Sequence, residues 1–176
     1  MSELAQRYNQ IVEKVASAAA ASGRKSEDIT LVVVTKNHPP KLVFELLELG
    51  ARDFGENRDQ EASPKALEVR ATSNETMRWH FIGQLQTNKV RSVLEYADTL
   101  HSLDRESLLV ELQKRTMDRQ EPLGVFIQVN LTEDPERGGV RVSELESFAI
   151  KVLNSSGLRL EGLMGVGGLD KAPEIE

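Results

Sequence analysis

Lys36 closes the β-branched run Leu31-Val32-Val33-Val34-Thr35, and a lysine in that place has a chemical use. An amine held beside apolar walls loses solvation, which favours its neutral form, and a neutral amine attacks an aldehyde to give a Schiff base. The position equally suits a solvated charge that ends a strand, because exposed lysines are common at such places. Asn57, His80, Ser102, Asn130 and Met164 stand at corresponding points, at or just after other short apolar runs. In Trp79-His80-Phe81-Ile82-Gly83, His80 shares a face with Ile82, which suits a hydrogen-bonded core histidine as well as a reactive one. Asn57 and Asn88 also fit helix caps. Gly165, Gly167 and Gly168 would let backbone N–H groups approach a phosphate, although glycine clusters commonly mark turns.

Composition removes several other chemistries. The chain has 176 residues, 39% of them hydrophobic and 5% aromatic, with a formal net charge of -6. That is the size and make-up of one soluble globular domain, taken here as residues 1–176. Without cysteine there is no disulfide framework, thiolate nucleophile or sulfur-ligated metal site. His38, His80 and His101 lie in different units, with no metal-ligand spacing between them. The acidic balance gives no footprint for nucleic acid or an anionic membrane. No apolar run approaches the ~18 residues of a membrane span, and MSELAQRYNQ is not a secretory signal. These features predict a cytoplasmic protein with a small-molecule partner.

The residues above need strands to hold them, and the hydropathy pattern supplies six. The continuous apolar run Ile29–Thr35 suggests a strand buried on both faces, and Arg52–Gly55, Trp79–Gly83, Thr99–Ser102, Gly124–Asn130 and Leu158–Met164 read as further strands. Between them fall helical stripes. Leu4, Tyr8, Ile11, Val12 and Val15 share one helical face before Gly23. Pro39 and Pro40 open a helix that Gly50 ends, and a polar helix spans about residues 58–70. Val90, Val93, Leu94 and Ala97 mark the next, and Asp104 can cap the one carrying Leu108, Leu109 and Leu112. Ser143-x-x-Glu146 reads as a capping box for the last.

Strict strand–helix alternation predicts parallel strands with helices outside, as an open doubly wound sheet or a (β/α)₈ TIM-type barrel. The strand ends recur about every 26 residues, the spacing of a barrel, and no G-x-G-x-x-G follows the first strand. The barrel is therefore the expected fold, with six of its eight units present and the native protein expected to continue for about two more. In such folds chemistry sits at the carboxyl ends of the strands, where the six candidate residues fall.

Six strings stand in order along the chain: Val34-Thr35-Lys36, Phe54-Gly55-Glu56-Asn57, Arg78-Trp79-His80-Phe81-Ile82-Gly83-x-Leu85-Gln86-x-Asn88-Lys89, His101-Ser102-Leu103-Asp104, Ile127-Gln128-Val129-Asn130 and Gly162-Leu163-Met164. Together they resemble the pyridoxal phosphate homeostasis protein family, whose fold is like the N-terminal barrel domain of alanine racemases. The resemblance implies that Lys36 holds pyridoxal 5′-phosphate as a Schiff base. It also implies that Asn57, His80, Ser102, Asn130 and Met164 surround the cofactor, with the phosphate-binding residues expected beyond residue 176. Gln84 and Gly165-Val166-Gly167-Gly168 depart from the family pattern. The implied function is intracellular carriage of pyridoxal 5′-phosphate by a monomer, with apo-enzymes that use this cofactor as partners and no turnover of its own. The alternative is a pyridoxal-phosphate-dependent racemase or decarboxylase. A racemase needs a second base on the opposite cofactor face, and the two tyrosines, Tyr8 and Tyr96, both fall on helices.

Overall fold

A computed structural model describes residues 2–132, 134 and 137–167. Six strands form one parallel sheet in strictly sequential order: β1 (Val33–Val34), β2 (Asp53–Glu56), β3 (Arg78–Phe81), β4 (Thr99–Leu103), β5 (Leu123–Val129) and β6 (Leu158–Gly165). A doubly wound sheet reverses its strand order at a switch point; this one does not, which is the winding of a barrel. The sheet is not closed, because β1 and β6 do not meet. The architecture is that of a partial (β/α) barrel, as the alternation predicts.

The helices are α1 (Glu3–Ala21), α2 (Pro40–Glu48), α3 (Asp59–Thr72), α4 (Val90–Val93), α5 (Glu106–Thr116) and α6 (Leu145–Leu153). Ser2 caps α1 by accepting the Ala5 N–H at 3.2 Å. Gly23 and Gly50, the two predicted stops, adopt left-handed φ values of 71° and 96° just past α1 and α2. Two expected caps are absent. Ser143 lies inside a 3₁₀ turn, Val142–Glu144, and makes no capping box. Asp104 pairs with Arg105 at 2.6 Å instead of capping α5.

Alternation divides the sheet into two faces. Phe54, Trp79, Phe81, Leu100, Val125 and Ile127 point outward and share one core with Val43, Leu46, Ala62, Val69, Leu109, Leu112 and Val152 of the helices. Full burial of one such side chain contributes about 1.5–3 kcal/mol relative to exposure. The intervening residues point inward and are largely polar towards the amino ends of the strands. Asp53 pairs in register with Arg78, Gly55 with His80, His80 with Thr99, Thr99 with Gly124, and Gly124 with Arg159.

β1 is shorter than the predicted Ile29–Thr35. It has a neighbour on one side only, and Ile29 is exposed. The α1 stripe is likewise half used: Leu4 and Tyr8 pack on the core, while Ile11 and Val12 remain exposed.

Candidate functional site

Lys36 follows β1 directly. The ladder runs one residue past the strand, since the Thr35 N–H donates to the Gly55 carbonyl at 3.0 Å. Thr35 is buried on the outward side and Lys36 is exposed, as alternation requires. Among the described residues the Lys36 amine has no hydrogen bond or ion pair.

The surface below it is apolar and defined by a glycine. A methyl group on Gly55 would lie 3.1 Å from Val32 Cγ1 and 3.3 Å from both Val34 Cγ2 and Ile82 Cδ1. Three aliphatic side chains therefore close over Gly55 and make a floor that any larger residue would lift. Asn57 follows β2 two residues past Gly55, the register partner of Val34, and it is half-buried.

Asn57 is tied to the next two strands. A Cβ on Gly83 would fall 2.1 Å from the Asn57 carbonyl oxygen, so the two backbones are in direct contact. Ser102, buried in β4, donates its hydroxyl to the Gly83 carbonyl at 2.5 Å. Asn57 and Ser102 are thus joined through one glycine across the tips of β2, β3 and β4.

His80 lies deeper than the strand tips. It pairs with Gly55, the level of Val34, so it sits one inward layer below Lys36. Its Nε2 is 2.8 Å from Asp53 Oδ1, which Arg78 Nε also meets at 2.7 Å, and its Nδ1 is 2.9 Å from His101 Nε2. His101 stacks on Phe126 with ring centroids 4.6 Å apart. Burial first, and the adjacent His80 second, push the His101 imidazole down to about 4.

No local sequence motif marks this inward chain. The available signal was the sheet order: His80 and His101 come from successive strands, and successive strands are neighbours here.

Asn130 and Met164 lie farther along the sheet. The Asn130 side chain is spent on its own loop, donating to the carbonyls of Asp134 at 2.8 Å and Arg137 at 3.0 Å and accepting from Thr132. Met164 is half-buried in β6, in register with Gln128. Of the glycine cluster, Gly165 and Gly167 follow closely and Gly168 lies outside the described residues. No group of at least three His, Cys, Asp or Glu side chains among the described residues is arranged to hold a metal ion.

A parallel sheet wound in sequence, with a free lysine after its first strand, defines a member of the barrel-domain class found in racemases. The chain belongs to the family of alanine racemase N-terminal domains, which it matches over residues 7–174. It is 36% identical over 176 residues to the pyridoxal phosphate homeostasis protein of Escherichia coli strain K12, covering 100% of this chain and 74% of that one. The protein of the same name from Mycobacterium leprae is 36% identical over 188 residues, covering 98% and 73%. Among solved structures, PipY of Synechococcus elongatus with PLP bound superposes with a TM-score of 0.74 at 29% identity, covering 88% of this chain and 71% of that chain. Alanine racemase from Corynebacterium glutamicum shares the fold at a TM-score of 0.63 and 13% identity, covering 93% and 44%.

Proposed function

We propose that this chain binds pyridoxal 5′-phosphate through Lys36 and serves in the homeostasis and carriage of that cofactor. The observation that carries the proposal is the exposed, unbonded Lys36 amine at a strand tip, beside an aliphatic floor over Gly55. The residues present fit the group: a free primary amine suits its aldehyde, and the Val34–Ile82 surface suits the face of an aromatic ring. Relatives named for pyridoxal phosphate homeostasis, and a PLP-bound structural neighbour, support the same reading.

Lys36 Nζ would hold the cofactor through its aldehyde carbon, as a reversible attachment that releases one water on binding and takes it back on release. When bound, the cofactor supplies an electrophilic carbon and an electron-withdrawing ring. Asn57 just past the Gly55 floor, His80 in register with Gly55, and Met164 on β6 would border the bound group. Ser102 and Asn130 act by fixing Gly83 and the loop after β5, since both side chains are already bonded there.

Carriage fits this geometry better than turnover. Tyr96 is buried in the core, Tyr8 stands on α1, and both nitrogens of His80 are engaged by Asp53 and His101. The expected assembly is a monomer that passes its cofactor to apo-enzymes in the cytoplasm. Among the described residues no helix is long and apolar enough to cross a membrane.

The test is spectroscopic. Purified protein mixed with pyridoxal 5′-phosphate should show a band near ~420 nm, the region of Schiff bases of this cofactor class, and borohydride should remove it. A Lys36→Ala protein that keeps the band would overturn the assignment.

A further inference from the structure

The residues on both sides of Lys36 are held from the helix layer. Thr35 is fully buried at 0% exposure, and each of its polar groups is bonded. Its N–H donates to the Gly55 carbonyl, its hydroxyl donates to Glu56 Oε1 at 2.7 Å, and its carbonyl accepts from Lys65 Nζ at 2.8 Å. Lys65 Nζ also meets Glu56 Oε1 at 2.7 Å, closing a triangle. On the other side of Lys36, Asn37 adopts a left-handed φ of 63° and donates its N–H to Glu61 Oε2 at 3.3 Å. Lys65 and Glu61 both belong to α3.

Glu56 is 0% exposed and Lys65 5%, so this is a charged pair inside the protein. Desolvation makes such pairs poor stabilisers, and apolar replacements of similar volume are often as stable. Glu56 Oε2 is buried without a hydrogen-bond partner, so the whole cluster converges on Oε1. What that convergence grips is Thr35, in a strand of two residues with a neighbour on one side only.

We propose that the Thr35–Glu56–Lys65 cluster is a positioning device for Lys36. Gripping Thr35 on the outward face fixes the rotation of the chain, and alternation then places the next residue on the inward face. Glu56 and Lys65 act through Thr35 and belong to the helix side of the sheet. The inference rests on the assignment of Lys36 as the attachment point.

The full chain is mixed with pyridoxal 5′-phosphate, quenched with borohydride at timed intervals, and the trapped lysine is located by peptide mass. Thr35→Val removes the hydroxyl at nearly constant shape, Thr35→Ser keeps it, and Glu56→Leu with Lys65→Met replaces the pair by apolar groups. Trapping at Lys36 should slow at least ~10-fold in Thr35→Val and in the double variant, because displacement of a reacting group by about 1 Å can cost far more. Thr35→Ser should restore the wild-type rate. Acetylation of Lys36 by acetic anhydride, which asks only that the amine be exposed, should stay within about twofold throughout; a loss confined to aldehyde trapping is a loss of placement.

Unchanged trapping in a folded Thr35→Val protein, or a Thr35→Ser protein as slow as Thr35→Val, would overturn the proposal. If the double variant does not fold, the valine–serine pair decides. Trapping of the wild-type protein at another lysine would overturn both the attachment assignment and this inference, and it shows before any variant is made.

Discussion

His80 and His101 meet nitrogen to nitrogen at 2.9 Å across the boundary between β3 and β4. A bond between two imidazoles holds a single proton, so each ring constrains the other's charge. Asp53, carrying Arg78, faces the far side of His80, and Phe126 covers His101.

Stability should therefore depend on pH through His101. Its imidazole is held down to about 4 in the folded protein, against about 6.5 in an unfolded chain. As pH falls through that window the unfolded state takes up a proton that the folded state refuses, so folding weakens from pH 6.5 towards 4. Above pH 6.5 this contribution is fully present. Urea midpoints across that range should fall less steeply in His101→Phe than in wild type, and parallel profiles would show that His101 does not carry the effect.

Gly83 and Gly55 should respond differently to a methyl group. At Gly83 it meets the Asn57 carbonyl at 2.1 Å, backbone that cannot step aside. Gly83→Ala should cost about 3 kcal/mol and weaken cofactor binding, since Asn57 and Ser102 are both joined to this residue. At Gly55 the neighbours are side-chain ends at 3.1 to 3.3 Å, so Gly55→Ala should cost only about 1 kcal/mol while lifting the floor. Chemical denaturation and cofactor titration of the two proteins separate these outcomes.

Removing one member of the buried pair should be worse than removing both. Lys65→Met leaves Glu56 uncompensated and should cost about 3–5 kcal/mol, while adding Glu56→Leu should recover most of it. A double variant no more stable than Lys65→Met would contradict this account.

Lys36→Ala should be nearly silent in stability. The side chain is exposed, so the change should stay within about 0.5 kcal/mol while the cofactor band disappears. A large drop in melting temperature would reveal packing that the structure does not contain.

The alternation of strands and helices was legible because runs such as Leu123–Val129 are largely apolar and the first two helices end at glycine stops, Gly23 and Gly50. The strand-tip positions of Lys36 and Asn57 follow from that pattern alone. Other features depend on partners distant in sequence. β1 pairs over only Val33–Val34 because no strand supports its other edge, which local propensity does not register. Asp104 had the right type for a cap, but Arg105 beside it offers an opposite charge. The Glu56–Lys65 pair joins a strand to the next helix, and neither residue type announces burial. His80 and His101 are 21 residues apart in sequence, and only the sheet order makes them neighbours.

The alternation of faces at the strand tips also bears on the pairing register of the sheet. Thr35 and Glu56 face the helices while Lys36, Gly55 and Asn57 face inward, so charge and bulk alternate residue by residue. A slip of one position in pairing exchanges every side chain between the faces. Here a slip of β1 would turn Thr35 inward, away from Glu56 Oε1 and Lys65 Nζ, and leave the buried pair without the residue it holds. A misregistered β1–β2 pair would thus lose both Thr35 contacts, although its backbone hydrogen bonds would be as good as the native ones. The buried cluster in that sense favours the one register in which Thr35 faces the helices and Lys36 faces inward.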